Sequence, residues 1–188
     1  ITEASRIRVS YSLYEPKDPY PTFKEQFYSD YHQGRQDLLR VSYDQDLSET
    51  FSYHIGGKRA ARNEGEDIGY GFDAGVRSNY FRNFVLSGDF YMLEFGTSSS
   101  YNLYFSSEYS LTRKSLLVLD LAYSLDESPL YGQNKAAGTQ LSYRYKLFSD
   151  VFIDISGSYI VNSRLDNEYL AGLQATWYFD NFQPKAKL

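Results

Sequence analysis

The sequence predicts an all-β fold: a closed antiparallel up-and-down transmembrane β-barrel of about ten strands. Three observations carry this. Apolar and polar residues alternate with period two along nearly the whole chain, the repeat of a strand whose two faces meet different surroundings. Most alternating segments reach the ~9–11 residues that a tilted strand needs to cross hydrocarbon, where ordinary globular strands peak near ~5–6. Aromatic residues make up 18% of the chain, with 20 Tyr and 13 Phe. The mean hydropathy is nevertheless −0.52, as expected when each strand has only one apolar face and the ends carry aromatic girdles.

Expected strands run over residues 5–14, 38–47, 50–58, 67–77, 82–94, 101–111, 115–125, 137–147, 151–162 and 168–179. In the first, Ile7, Val9, Tyr11 and Leu13 alternate with Arg8, Ser10 and Ser12. The second sets Leu39, Val41 and Tyr43 against Arg40, Ser42 and Asp44. The third sets Phe51, Tyr53 and Ile55 against Ser52, His54 and Gly56. Ile68, Tyr70, Phe72, Ala74 and Val76 then oppose Gly69, Gly71, Asp73 and Gly75. Phe84, Leu86, Phe90 and Met92 oppose Ser87, Asp89 and Tyr91. Leu103, Phe105, Tyr109 and Leu111 oppose Asn102, Ser106 and Glu108. The clearest case is Leu117, Leu119, Leu121 and Tyr123 against Val118, Asp120, Ala122 and Ser124. Leu141, Tyr143 and Tyr145 oppose Gln140, Ser142 and Arg144. Ile153, Ile155, Tyr159 and Val161 oppose Asp154, Ser156 and Ser158. Leu173, Ala175 and Trp177 oppose Gly172, Gln174 and Thr176.

Short turns are expected near Ser48-Glu49, Ser78 to Tyr80, Arg113-Lys114 and Phe148 to Asp150. The other connections, 15–37, 59–66, 95–100, 126–136 and 163–167, read as longer and polar. Short turns at one end and long loops at the other is the asymmetry of membrane barrels, and an even strand count puts both termini with the short turns, on the periplasmic side. Residues 1–179 form the barrel domain and 180–188 a periplasmic tail.

Alternation alone leaves open which face points outward, since a soluble lipid-carrier barrel would bury the apolar one. Three features favour apolar-out. Charges of both signs (Arg8, Arg40, Asp44, Asp73, Asp89, Glu108, Asp120, Arg144, Asp154), with His54, share the polar face and make a lumen ion network. The other face is almost free of charge at strand centres, where Arg or Lys would cost ~2–4 kcal/mol in hydrocarbon. Aromatics gather near strand ends: Tyr80, Phe81, Tyr145, Phe148, Trp177 and Phe179 at one end, Tyr101, Tyr123 and Tyr169 at the other. Unpaired backbone groups are costly in lipid, so strand ten should pair with strand one. The alternative geometry is an arc of a larger barrel.

With these features the chain resembles the small outer-membrane β-barrel proteins of Gram-negative bacteria over residues 5–179. The ending Trp177-Tyr178-Phe179 resembles their C-terminal aromatic insertion signal, although Gln174 stands at the signal's usual glycine and Asp180 to Leu188 follow it. The resemblance implies the bacterial outer membrane as location, with its lipid and lipopolysaccharide as partners.

Other classes are disfavoured. A net charge of −5 argues against nucleic acid. Zero cysteines exclude disulfides and thiolate metal sites. No apolar run reaches the ~18 residues of a membrane helix. The start at Ile1 is that expected of a mature or trimmed chain. Outer-membrane proteases of ten strands pair Asp-Asp with Asp-His, but Asp30 and His32 fall in the first loop while Asp44 and Asp46 fall at the short-turn end. Ser52 and His54 belong to the lumen face, whereas a lipid-facing phospholipase needs them outside. No catalytic residue, metal site or cofactor is expected. Tyr91, Tyr104, Phe152 and Tyr178 would help to fill the narrow lumen of a ten-strand barrel. The long first loop, with Tyr20, Phe23, Phe27, Tyr28 and Tyr31, should either fold over the mouth or bind a protein partner. The expected function is a non-enzymatic anchor or interaction subunit, alone or within a larger envelope complex. A small-solute channel and a rim-located hydrolase are the alternatives.

Overall fold

The computed structural model describes residues 5–14, 23–27, 36–62, 67–128, 132–148, 151–163 and 167–177. Ten strands form one antiparallel sheet in sequence order. They are β1 (Ser5–Tyr14), β2 (Gln36–Ser48), β3 (Phe51–Arg62), β4 (Asp67–Ser78), β5 (Phe84–Phe95), β6 (Ser98–Thr112), β7 (Ser115–Ser128), β8 (Gly132–Lys146), β9 (Val151–Asn162) and β10 (Glu168–Trp177). One short helix, α1 (Phe23–Gln26), lies between β1 and β2.

The sheet is inside out compared with a water-soluble domain. On β7 the small and polar residues Asp120, Ala122 and Ser124 are buried, while Leu119, Leu121 and Tyr123 between them are exposed. The ladder joins these into a continuous apolar surface, since Leu121 pairs with Phe105 and Thr139, and Leu119 pairs with Leu141. A soluble protein rarely exposes an apolar patch beyond a few hundred Å². The apolar-outward reading therefore holds in the structure, and the soluble-carrier alternative does not.

Register shows that the strands are staggered. Following directly opposed residues from the middle of β1 gives Val9, Val41, Gly57, Phe72, Met92, Tyr101, Leu125 and Lys135. The path starts mid-strand and ends near the first residue of β8. Such drift is what strand tilt in a curved wall demands.

Three expectations change. First, strands β3 and β6 to β8 outlast the apolar alternation at the end where β1 leads into β2. The expected loop 95–100 is a turn at Gly96-Thr97, with Gly96 at φ 53°. Polar residues sustain the ladder there: Ser100 donates to Asp126 at 2.5 Å and Gln133 to Glu127 at 2.8 Å. Second, the loop asymmetry shrinks. Beyond 15–35, the connections at that end are 63–66, 96–97, 129–131 and 163–167, against 49–50, 79–83, 113–114 and 147–150 at the other. Third, no β10–β1 pairing occurs among the described residues. Both edge strands are correspondingly open on both faces: Arg8 and Val9 on β1 are exposed, as are Leu170 and Leu173 on β10. The described ends of both, Ser5 and Trp177, lie at the end with the 49–50 and 147–150 turns, and the tail 180–188 lies outside the described residues.

Glycines on the inner face of β3 and β4 give up their side-chain space to neighbours. A Cβ on Gly56 would meet the Asp73 carboxylate at 2.8 Å, one on Gly69 the Phe95 ring at 2.6 Å, and one on Gly75 both Asp89 and His54. Gly75→Val should therefore destabilise the sheet by about 1–3 kcal/mol through overpacking. The shift of the unfolding midpoint in detergent micelles measures it, and an unchanged midpoint would contradict this packing.

Candidate functional site

The chemistry of the chain is concentrated on the concave, inward face. Strand parity puts Arg8, Arg40, Asp44, His54, Asp73, Asp89, Glu108, Asp120, Arg144 and Asp154 all on that face, and the structure joins them into pairs. Arg40 donates to Asp73 at 2.6 Å, and Arg144 Nε to Asp154 at 2.6 Å. His54 Nε2 lies 3.8 Å from Asp73 and 3.6 Å from Asp89, so it sits between two carboxylates. The Tyr104 hydroxyl donates to Asp120 at 2.7 Å. Arg8 approaches Asp44 at 4.0 Å, and Arg77 approaches Glu108 at 4.0 Å.

Part of the first connection enters this network. Phe23 and Phe27, at opposite ends of the α1 turn, are 7% and 5% exposed and pack with Ala122, Ala136 and Ile160. The Phe27 ring occupies the space a Cβ on Gly138 would take. Between the two rings Lys24 reaches down to the wall, pairing with Asp89 at 2.5 Å. Its ammonium also lies 4.6 Å from the centre of the Tyr104 ring. The segment thus plugs the concave face with two rings and one cation. Phe23 and Phe27 pack on the protein's own wall, in line with the first of the two outcomes expected for this loop, its folding back on the sheet. Tyr20, Tyr28 and Tyr31 lie outside the described residues, as do Asp30 and His32.

A second inner cluster lies elsewhere on the wall. Ala60, Tyr91, Leu93 and Phe95 are buried together, with Leu38 against them. Lys58, itself buried, lies 4.1 Å over the Tyr91 ring. Two cavities with charged residues in their linings remain beside the plug. One of about 540 Å³ is lined by residues that include Arg6, Arg8, Arg77, Asp44 and Glu108; another of about 490 Å³ includes Arg40, His54, Lys58 and Asp73. Lys24 and Asp89 border both. Among the described residues, no group of three or more His, Asp or Glu is arranged to hold a metal ion. Ser52 and His54 both face inward, and Asp44 is opposed in register to His54.

The outward face has its own order. Tyr80 and Phe81 pack edge to face at 5.3 Å at one end, where Tyr145 and Phe148 are also exposed. Tyr101, Tyr123 and Tyr169 lie towards the other end, Tyr169 stacked on Tyr159 at 4.6 Å. Trp177 closes the described part of β10, and Phe179 lies outside the described residues. By strand parity, outward charges within the strands are Asp37, Arg59, Glu94, Glu127 and Lys135. All five fall at the end where β1 leads into β2, making a charged collar beyond an uncharged band.

Lys24, Lys58 and Arg77 were not among the expected lumen residues. Lys58 and Arg77 share strand parity with His54 and Asp73, so alternation carried their signal. Lys24 lies in a loop, where alternation says nothing.

No protein-family model matches the sequence, and no curated protein matches it. Solved structures do. A loop L8 deletion mutant of OmpT, an outer membrane protein of Vibrio cholerae, superposes with a TM-score of 0.72 at 12% identity, covering 95% of this chain and 60% of that one. The outer-membrane-expressed OmpT gives 0.71 at 12% identity, covering 95% and 62%. A KdgM porin in complex with disordered oligogalacturonate gives 0.48 at 13% identity. At such identities the likeness to OmpT is one of fold: the chain has the strand architecture of bacterial outer-membrane β-barrels. It spans about three fifths of the length of OmpT.

Asp89→Asn should remove the carboxylate that holds Lys24. Both side chains are partly exposed, at 36% and 16%, so the expected loss is on the order of 1 kcal/mol. It should appear as faster amide hydrogen exchange in α1 with β6 and β7 unchanged. Equal acceleration of helix and strands would show that the contact does not act locally on the plug.

Proposed function

We propose that this chain is a non-enzymatic, membrane-embedded barrel of the bacterial outer membrane, with a plugged lumen, serving as an anchor or interaction subunit. The observation that carries the reading is the inverted wall, apolar and uncharged outward through its middle, with charges paired inward. In hydrocarbon that wall needs no other cover. In this reading β10 closes onto β1, because open strand edges in lipid cost several kcal/mol per unpaired group. The termini lie on the periplasmic side, and the charged collar meets the lipopolysaccharide headgroup layer. Any protein partner docks on the outer wall or on parts of the first connection other than Phe23 and Phe27.

A second reading has support of its own. The two cavities flanking Lys24 are lined by charges of both signs, the environment a polar solute would need. If the plug moves, the chain becomes a small-solute channel.

Planar-bilayer recordings separate the two. The anchor reading expects no steady current from the intact chain and current from a variant lacking residues 18–34. Steady, solute-selective current from the intact chain would overturn it. The membrane assignment has its own check in extraction: detergent dependence and heat-modifiable migration are expected, and free solubility would contradict it.

A further inference from the structure

The outward face carries a trench that the wall itself does not explain. About 830 Å³ of apolar space opens over β3 to β7. Its floor is Gly88 with Ala74, and its sides include Tyr53, Phe90, Leu103 and Phe105. In register, Gly88 sits between Val76 and Phe105, and Phe90 between Ala74 and Leu103.

Gly88 is the informative residue. The β4–β5 and β5–β6 ladders run through it without a register shift, so it marks no bulge. A Cβ there would meet only the Tyr104 carbonyl oxygen, at 3.9 Å, an ordinary contact. The inward glycines 56, 69, 71, 75 and 138 differ, since each yields its space to a neighbouring side chain. Glycine inside a strand costs backbone entropy and leaves nothing to pack. At Gly88 nothing within the chain makes use of the missing side chain. The outward Gly57 and Gly157 are equally uncrowded, so the vacancy alone marks no site; of the three, Gly88 is the one that lines the trench, where close approach by a ligand is a known role of a strand glycine.

We propose that this trench seats one acyl chain of a membrane lipid as a specific site rather than as fluid annulus. The inference rests on the outer-membrane reading above, which puts this face in hydrocarbon. Chemistry then selects the occupant. The trench has no charged side chain on its outward rim. The backbone groups of its floor are already paired in the ladder, so an added peptide strand would find no donors or acceptors. A hydrocarbon chain needs none. Flanking rings and branched side chains supply dispersion contacts along its length, and the Gly88–Ala74 floor lets it lie deeper than elsewhere on the wall.

The test uses the full chain in vesicles of phosphatidylethanolamine and phosphatidylglycerol doped with a phosphatidylethanolamine carrying a diazirine on one acyl chain. Labelled residues are mapped by mass spectrometry after photolysis. The wild-type chain should show excess labelling at Phe90, Leu103 and Phe105 over other outward positions such as Leu141 and Ile155. Gly88→Leu fills the floor and should abolish that excess. Gly157→Leu is the control, because a Cβ at this outward glycine meets nothing within 4 Å, and it should leave the excess intact. Heat-modifiable migration of each variant confirms folding. Uniform labelling of all outward positions, or an excess that survives Gly88→Leu, would overturn the site while leaving the membrane reading in place. Failure to insert, with no outward labelling at all, would instead overturn the membrane reading.

Discussion

Backbone hydrogen bonding without water is the constraint on which this structure depends. In hydrocarbon every N–H and C=O must find a partner within the protein. A sheet can meet that demand only by pairing each strand on both sides, and the pairing dictates everything else. The pleat sends successive side chains to opposite faces, so one face of each strand must suit lipid and the other must suit the interior. The alternation of Leu119, Leu121 and Tyr123 with Asp120, Ala122 and Ser124 is that rule written in residues. Only the outer rows of β1 and β10 are left without ladder partners among the described residues, and both of these strands carry exposed residues on both faces.

The interior follows from the same rule. Because the inner face receives the polar half of each strand, its charges have to neutralise one another. Arg40 with Asp73 and Arg144 with Asp154 do so directly. Asp89 is reached by His54 and by Lys24 from the plug. Side-chain size is balanced as carefully as charge. Asp73, Lys58 and Phe95 each lie over a glycine on a neighbouring strand. The plug obeys the same logic at Gly138, whose missing side chain admits Phe27. The outer wall reverses it, since Gly88 is vacant on the side where lipid is the neighbour.

Much of this was legible in the sequence because period two is a local property. Strand identity, the face each residue takes and the lumen charges all follow from reading every second residue. What alternation could not reach was of two kinds. Strand ends were misplaced where polar pairs such as Ser100 with Asp126 and Gln133 with Glu127 sustain the ladder beyond the membrane band. Phe95 carried no mark of its inward burial beyond its parity with Tyr91. The plug was the other kind. Phe23 and Phe27 announced that they needed cover, but a loop has no periodicity to say whether the cover is a partner or the barrel itself. Only the three-dimensional placement of Gly138 and Asp89 answers that.

The central claim is that the outward face of the sheet meets hydrocarbon and the inward face does not. Single nitroxide labels placed in turn at residues 117 to 124 of β7 in reconstituted vesicles test it most directly, through relaxation by oxygen, which partitions into lipid, and by a water-soluble nickel chelate. The account predicts a strict period of two, with oxygen accessibility high at 117, 119, 121 and 123 and low at 118, 120, 122 and 124. The opposite phase, or no periodicity, would contradict it.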